Sequence, residues 1–212
     1  MQTTSGLTHN SLLQTLEQWD QQIQFPTRLI ACGDAALTLL DIKLSTHTVD
    51  FIVPEDVEYE LLLDFLPTIG YCYRENALCH EDAPEVLYRF WSGNQTFTVE
   101  LLDSSLNDAN HTEIKSWTHI YLGVLNRIDL IITQLFRGTD ADMKDCIAIF
   151  KTWQVEAEDL LERYANVSNK DAHPDQRMQT FMTFVEKLVS HRLVTDEFLE
   201  KVSREKSVFS LV

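Results

Sequence analysis

The chain has 212 residues, 44% of them hydrophobic, which is enough apolar material for one domain, or for one domain with a helical extension. The formal net charge is −16, and residues 1–125 carry most of it, with 5 Lys/Arg against 18 Asp/Glu. Nucleic-acid binding depends on Lys and Arg side chains that neutralise phosphates, so this balance argues against a nucleic-acid partner. An NTP with its magnesium ion is less strongly excluded, because the ion cancels part of the phosphate charge.

The start of the chain, MQTTSGLTHN, has neither the basic region nor the apolar region of a secretory signal. No apolar run approaches the roughly 20 residues of a membrane-spanning helix, so we expect a cytoplasmic protein without membrane contact. The four cysteines are scattered and are expected to be reduced thiols. Cys79-His80, close to Cys72, raises zinc as an alternative, but no second close pair accompanies it and ordinary thiols are favoured.

The first third of the chain alternates between helix and strand signals. The spacing of apolar residues, the breaks at proline and glycine and the capping residues all contribute to this reading. A capping box is predicted at Ser11 and Gln14. In chain order, the patterns predict a helix over 12–23, a strand over 27–32, a short helix over 35–40, a strand over 49–53, a helix over 54–66 and a strand over 71–73.

The middle of the chain is predicted to hold a hairpin between two loops. Residues 86–91 and 96–102 alternate apolar and polar side chains on either side of a Ser-Gly-Asn turn. Glu100 is the only acid in the second of these strands. The flanking stretches 75–86 and 103–117 are polar and read as loops. One more strand is predicted over 119–125.

The pattern from Asn126 onward is helical. Helices are predicted over 126–137, 140–153 and 153–164, and further helices start at Pro174 and after an N-cap at Thr195. The Phe and Met stripe at 178–189 is interpreted as core, with a dimer or partner surface as the alternative. The domain prediction is therefore a core over 1–125 and an α-helical region over 126–212, packed on that core.

The stretch GDAALTLLDIKLSTHTVDFIV, residues 33–53, carries a family resemblance. An apolar run ends at Gly33, Ser45-Thr46 follows the short helix, and Asp50 lies in the second strand. This layout resembles the DNA polymerase β-type nucleotidyltransferase superfamily, in particular its small bacterial, toxin–antitoxin-like branch. Two positions depart from the family pattern, since Thr48 stands where the first catalytic acid belongs and Asp34 where Gly or Ser is usual.

Two weaker matches accompany the first. Val99-Glu100-Leu101 resembles the strand that carries the third catalytic acid of the superfamily. Further on, the family has a Lys-Leu-x-x-Arg followed by an Asp-x-x-Asp pair. Arg137, Asp142 and Asp145 fit this pattern, while Gln134 replaces the lysine. From the residues alone, the two aspartates are interpreted as structural groups that cap a helix or pair with basic neighbours.

The resemblance implies a fold and a site. The fold class is α/β (α+β), a small mixed sheet with flanking helices followed by the helical region. Asp50 and Glu100 would be the catalytic residues and the Mg²⁺ ligands. Gly33, Asp34, Ser45 and Thr48 would contact an NTP such as ATP. For Asp34, an N-cap of the helix at Ala35 is the plainer alternative.

Two functions of different class follow from this resemblance. The first is a degenerate nucleotidyltransferase-fold protein that acts as a binding or regulatory module, with a protein partner. The second is an active metal-dependent enzyme that moves a nucleoside monophosphate from an NTP onto a protein or a small molecule. Three changes favour the module: Thr48 is a poor magnesium ligand, Asp34 would repel phosphates, and Gln134 removes a positive charge.

Overall fold

The computed structural model describes residues 6–101, 103 and 109–209, and in the last helix it describes side chains as far as residue 204. The described chain forms two compact units. The first comprises residues 6–97, 103 and 109–126, and the second comprises residues 98–101 and 127–209. No helix in these described ranges is long and apolar enough to cross a bilayer.

The first unit is a mixed sheet with helices. Its helices are α1 (His9–Asp20), α2 (Gly33–Leu39) and α3 (Asp56–Phe65), and a 3-10 turn (Leu66–Ile69) follows α3. Its strands are β1 (Thr27–Cys32), β2 (Thr48–Val53), β3 (Tyr71–Arg74), β4 (Ala77–His80), β5 (Ala83–Ser92), β6 (His111–Ser116) and β7 (Ile120–Leu125).

The strand order is β3-β4-β5-β2-β1-β7-β6. β2 runs antiparallel to β1 and parallel to β5, while β1 runs parallel to β7. The two edges are antiparallel, with β3 against β4 at one end and β6 against β7 at the other. β1 and β2 therefore lie inside the sheet, which agrees with their almost wholly buried side chains.

Helix α1 supplies much of the core of this unit. Its apolar stripe, which includes Leu12, Leu16 and Trp19, is buried. The indole of Trp19 packs edge-on against Tyr71 and donates a hydrogen bond to its hydroxyl, with 3.0 Å between Nε1 and Oη. The helix starts at Thr8, whose side chain and that of Ser11 form a reciprocal capping box. The prediction that Ser11 and Gln14 form this box was wrong by one helical turn.

The second unit contains the remaining helices: α4 (Arg127–Arg137), α5 (Asp140–Trp153), α6 (Ala157–Ser168), α7 (Pro174–Ser190) and α8 (Asp196–Phe209). The ring of Tyr164 stacks on Phe181 at 4.5 Å between centroids, and Phe184 lies beside that pair. Met178 and Leu188 of the predicted stripe are also buried. The interpretation of this stripe as core is therefore confirmed.

Three predictions for the middle of the chain were wrong. Residues 75–86 are not a loop, because they contain β4 and the start of β5. β6 likewise lies within the stretch 103–117 that was read as a loop. The predicted second hairpin strand over 96–102 is absent from its described residues, 96–101. Val99 and Leu101 are nevertheless buried, so the alternating pattern reflects burial without a continuous strand.

Asp20, the last residue of α1, ties this helix to the start of β7. Its carboxylate accepts backbone N–H bonds from Thr118, His119 and Ile120, at 3.2, 2.7 and 2.8 Å. Burial raises the pKa of Asp20, but these hydrogen bonds and the nearby His119 outweigh it, and the pKa lies below its ordinary value of 3.8.

We predict that Asp20→Asn lowers the free energy of unfolding by about 1–3 kcal/mol at neutral pH, because an amide cannot accept all three bonds. Since the folded-state pKa is depressed, this contribution is present above the unfolded-state pKa and is lost as the pH falls through the folded-state value. Urea unfolding from about pH 7 downward should show the gap between wild type and variant closing below about pH 4. A gap that stays constant would contradict this, and the exposed Asp64, changed to Asn, serves as control.

Candidate functional site

The glycine turn and the acid strand lie side by side. β1 ends at Cys32, and α2 begins at Gly33, whose φ of +57° is in the left-handed region. A Cβ atom on Gly33 would lie 3.2 Å from Oδ2 of Asp50, closer than ordinary van der Waals contact. Glycine is needed at this position both for its backbone conformation and for the space that it leaves.

Asp50 is held by Arg89 from the neighbouring strand. The two residues are directly opposite in the parallel ladder between β2 and β5. The guanidinium contacts both carboxylate oxygens, with 2.6 Å from Nε to Oδ1 and 2.8 Å from Nη2 to Oδ2. Only 4% of Asp50 is exposed. This is a buried, two-pronged ion pair, in which Nη2 donates a hydrogen bond to Oδ2 and Nε lies close to Oδ1 without hydrogen-bond geometry.

An aromatic ring covers the same guanidinium. The Cζ atom of Arg89 lies 4.5 Å from the centre of the Phe97 ring. Cation–π attraction at this distance adds to the hold on Arg89. About half of Phe97 is itself exposed, so the ring lies between the ion pair and solvent on that side. Arg89 is therefore fixed by contacts with a carboxylate and with a ring.

Asp34 makes a second ion pair in this unit. Its Oδ1 lies 3.0 Å from Nζ of Lys43, and both side chains are about one-quarter exposed. The N-cap residue of α2 is Cys32, which makes no side-chain capping bond, and Asp34 lies in the first helical turn. The interpretation of Asp34 as the N-cap was therefore wrong. A carboxylate in the first turn is still favoured by the helix dipole, and Lys43 compensates its charge.

The other predicted site residues lie on different elements of the chain. Thr48, half-buried, opens β2 two residues before Asp50, so the two side chains share one face of the strand. Ser45 is exposed in the loop before β2. Glu100 is also exposed and belongs to the second unit, and the strand predicted to carry it does not form. The strands that flank β2 are β1 and β5, so the ladder neighbour of Asp50 is Arg89.

Arg137 links two other residues of the Lys-Leu-x-x-Arg and Asp-x-x-Asp match, Gln134 and Asp142. Arg137 donates from Nε to Oδ1 of Asp142 at 2.9 Å and from Nη2 to Oε1 of Gln134 at 2.8 Å. Asp142 also completes the capping box of α5 with Thr139. Burial raises the pKa of Asp142, but the bonds from Arg137 and Thr139 prevail, and the pKa is lowered. The interpretation of Asp142 as a capping and pairing residue is confirmed.

The side chains around Asp50 do not fit a two-magnesium centre. Such a centre needs several carboxylate oxygens free to ligate the ions. Here both oxygens of Asp50 contact a guanidinium, and Thr48 on the same face is neutral. In the part of the chain that the structure describes, no group of three or more His, Cys, Asp or Glu side chains could hold a metal ion.

The sequence motif did not identify Arg89 as a residue of the site. One feature of the sequence did indicate Arg89. It is the only cation in the alternating strand 86–91, and a buried cation needs an acidic partner. Arg89 is also one of only 5 basic residues in 1–125. Which acid would be its partner depended on the pairing of β5 with β2.

Comparison with protein-family models finds no family that matches the chain, and comparison with curated proteins finds no matching relative. The resemblance to nucleotidyltransferases therefore stays a prediction from the residues of this chain.

We predict that Arg89→Met lowers the free energy of unfolding by about 3–5 kcal/mol, because it leaves the buried Asp50 uncompensated. The double variant Asp50→Asn/Arg89→Met should be clearly less destabilised than the two single variants summed. Lys43→Met is the matched control, and at this more exposed ion pair it should cost about 0–1 kcal/mol. Urea unfolding at neutral pH measures all four variants. Additive effects of the Asp50 and Arg89 substitutions would show that the pair is not coupled.

A second prediction concerns the approach of Gly33 to Asp50. Gly93 has a similar φ of +64° and open space around its Cα, so Gly93→Ala measures the conformational cost alone, about 1–2 kcal/mol. Gly33→Ala should cost measurably more in the same unfolding experiment, because its methyl group also presses on the carboxylate. Equal costs would mean that the close approach has no energetic consequence.

Proposed function

We propose that this chain is a nucleotidyltransferase-fold protein that has lost transferase chemistry and acts as a binding or regulatory module. The observation that carries the proposal is the two-pronged contact of Arg89 with Asp50. In an active member of the family, this acid would hold magnesium beside a second acid two residues earlier. In this chain a permanent cation takes the place of the metal, and the earlier position is Thr48.

The charge balance at the site supports this reading. A guanidinium remains protonated at any physiological pH, so Arg89 neutralises Asp50 without exchanging with solvent ions. A divalent cation could reach Asp50 only by displacing this partner, which would leave Arg89 half-buried beside a second positive charge. Lys43 likewise neutralises the charge of Asp34. The carboxylates of Asp34 and Asp50 therefore need no metal ion to compensate their charge.

The acidity of residues 1–125 indicates the kind of partner. With 5 basic against 18 acidic residues, this part of the chain would repel nucleic acid and attract a basic surface. We therefore propose a protein partner with a basic face. An NTP is the alternative ligand, and it is tested directly below.

Calorimetric titration of the full chain with Mg-ATP and Mn-ATP tests the proposal. We expect no saturable heat at nucleotide concentrations up to about 1 mM, a limit that corresponds to roughly −4 kcal/mol of binding free energy. Metal-dependent binding at micromolar concentrations, abolished by Asp50→Asn, would contradict the proposal and support the active enzyme.

Two designed variants test whether the proposed ancestral metal site was at Thr48 and Asp50. Thr48→Asp/Arg89→Gln places two acids on one face of β2 and removes the competing cation, so we expect it to bind Mn²⁺. Thr48→Asp/Asp34→Ser repairs the motif but keeps Arg89, and we expect it not to bind. Electron paramagnetic resonance of free Mn²⁺ measures both, with circular dichroism as the check on folding. If the Thr48→Asp/Arg89→Gln variant folds but does not bind Mn²⁺, the proposed metal site was not at this position.

A further inference from the structure

Two cysteines face each other at one edge of the sheet. β3 is an edge strand, and Cys72 on it is paired directly with Cys79 on β4 in the antiparallel ladder. The two Sγ atoms are 3.7 Å apart, and both cysteines are free thiols in the structure. This pair lies outside the site around Asp50, and the proposed function does not use it.

The backbone geometry suits a disulfide. Directly opposed residues of an antiparallel pair have Cα atoms about 4.5–5.5 Å apart. Disulfides join Cα atoms that are about 4.4–6.8 Å apart, so the strands need not move. The sulfur atoms must close from 3.7 Å to about 2.05 Å, which a change of side-chain torsion can supply.

The two thiols differ in reactivity. Cys72 is exposed to solvent, whereas only 3% of Cys79 is exposed. Burial, followed by the hydrogen bond and charge of Cys72, raises the pKa of the Cys79 thiol. Cys72 is therefore the thiol that an external reagent can reach first, and Cys79 is placed to react second.

We propose that Cys72 and Cys79 form a reversible thiol–disulfide site, oxidised by exchange with a low-molecular-weight disulfide such as oxidised glutathione. The Cys72 thiolate attacks one sulfur of glutathione disulfide, breaks its S–S bond and releases one glutathione thiolate. Cys79 then loses its proton and attacks Cys72 Sγ in the mixed disulfide, and the second glutathione leaves as a thiolate. Two protein thiols are oxidised, one glutathione disulfide is reduced, and the two protons end on glutathione.

Oxidation would join β3 covalently to β4. An edge strand exposes unpaired backbone groups and is held by one neighbour only, so it is the strand of a sheet most easily detached. The cross-link keeps this strand paired with β4. We expect the oxidised protein to melt a few degrees higher than the reduced protein.

The experiment uses the full chain, reduced and then incubated with oxidised glutathione. Trypsin cleaves after Arg74, between the two cysteines, and places Cys72 in peptide 44–74 and Cys79 in peptide 75–89. We expect a species with the combined mass of both peptides, less two hydrogens, which separates again after treatment with dithiothreitol. The intact protein should lose two hydrogens without retaining glutathione.

Two single variants test the order of reaction. Cys79→Ser should keep one glutathione on peptide 44–74, because no second thiol displaces it. Cys72→Ser should stay unmodified on peptide 75–89, since Cys79 is buried. The proposal is overturned if the wild type retains glutathione on Cys72 as Cys79→Ser does, or if the exposed Cys72 still reacts with Ellman's reagent after incubation.

Discussion

The buried ion pair between Asp50 and Arg89 is the contact on which the first unit depends. A carboxylate that is almost wholly buried requires compensation, and the pairing register of β2 and β5 places a guanidinium directly opposite it. Because the partners are fixed by backbone pairing, neither can move away without disturbing two central strands. The same carboxylate lies so close to Gly33 that the start of α2 is constrained as well.

The Asp50–Arg89 ion pair shows that the fold of this chain does not by itself decide which chemistry Asp50 can perform. The strand–glycine turn–helix–strand layout is present in the structure, but a fold does not by itself imply an activity. A carboxylate that faces a metal and one that faces a guanidinium can occupy the same strand position with little change in the backbone. In the proposed function, Arg89 on the neighbouring strand replaces the metal while the fold is kept, and the neutral side chain of Thr48 acts in the same direction.

The thiol pair belongs to a different part of the same sheet. β4 and β5 lie between β3 and the strand that carries Asp50, so the two features are on separate strands and involve different chemistry. A cross-link at the edge would restrict β3 without a direct contact on the central ion pair.

The sequence by itself determined those elements whose signals are local. Helical spacing located α1, α4, α5 and α7, and the glycine at 33 marked the turn beside the acid strand. It missed β4 and β6, and it placed a strand over 96–102, because a strand forms only where a neighbouring strand supplies hydrogen bonds, and an alternating pattern records burial alone. Only the tertiary structure decided that Arg89, not Glu100, lies opposite Asp50, since strand register is a long-range property that no local pattern contains.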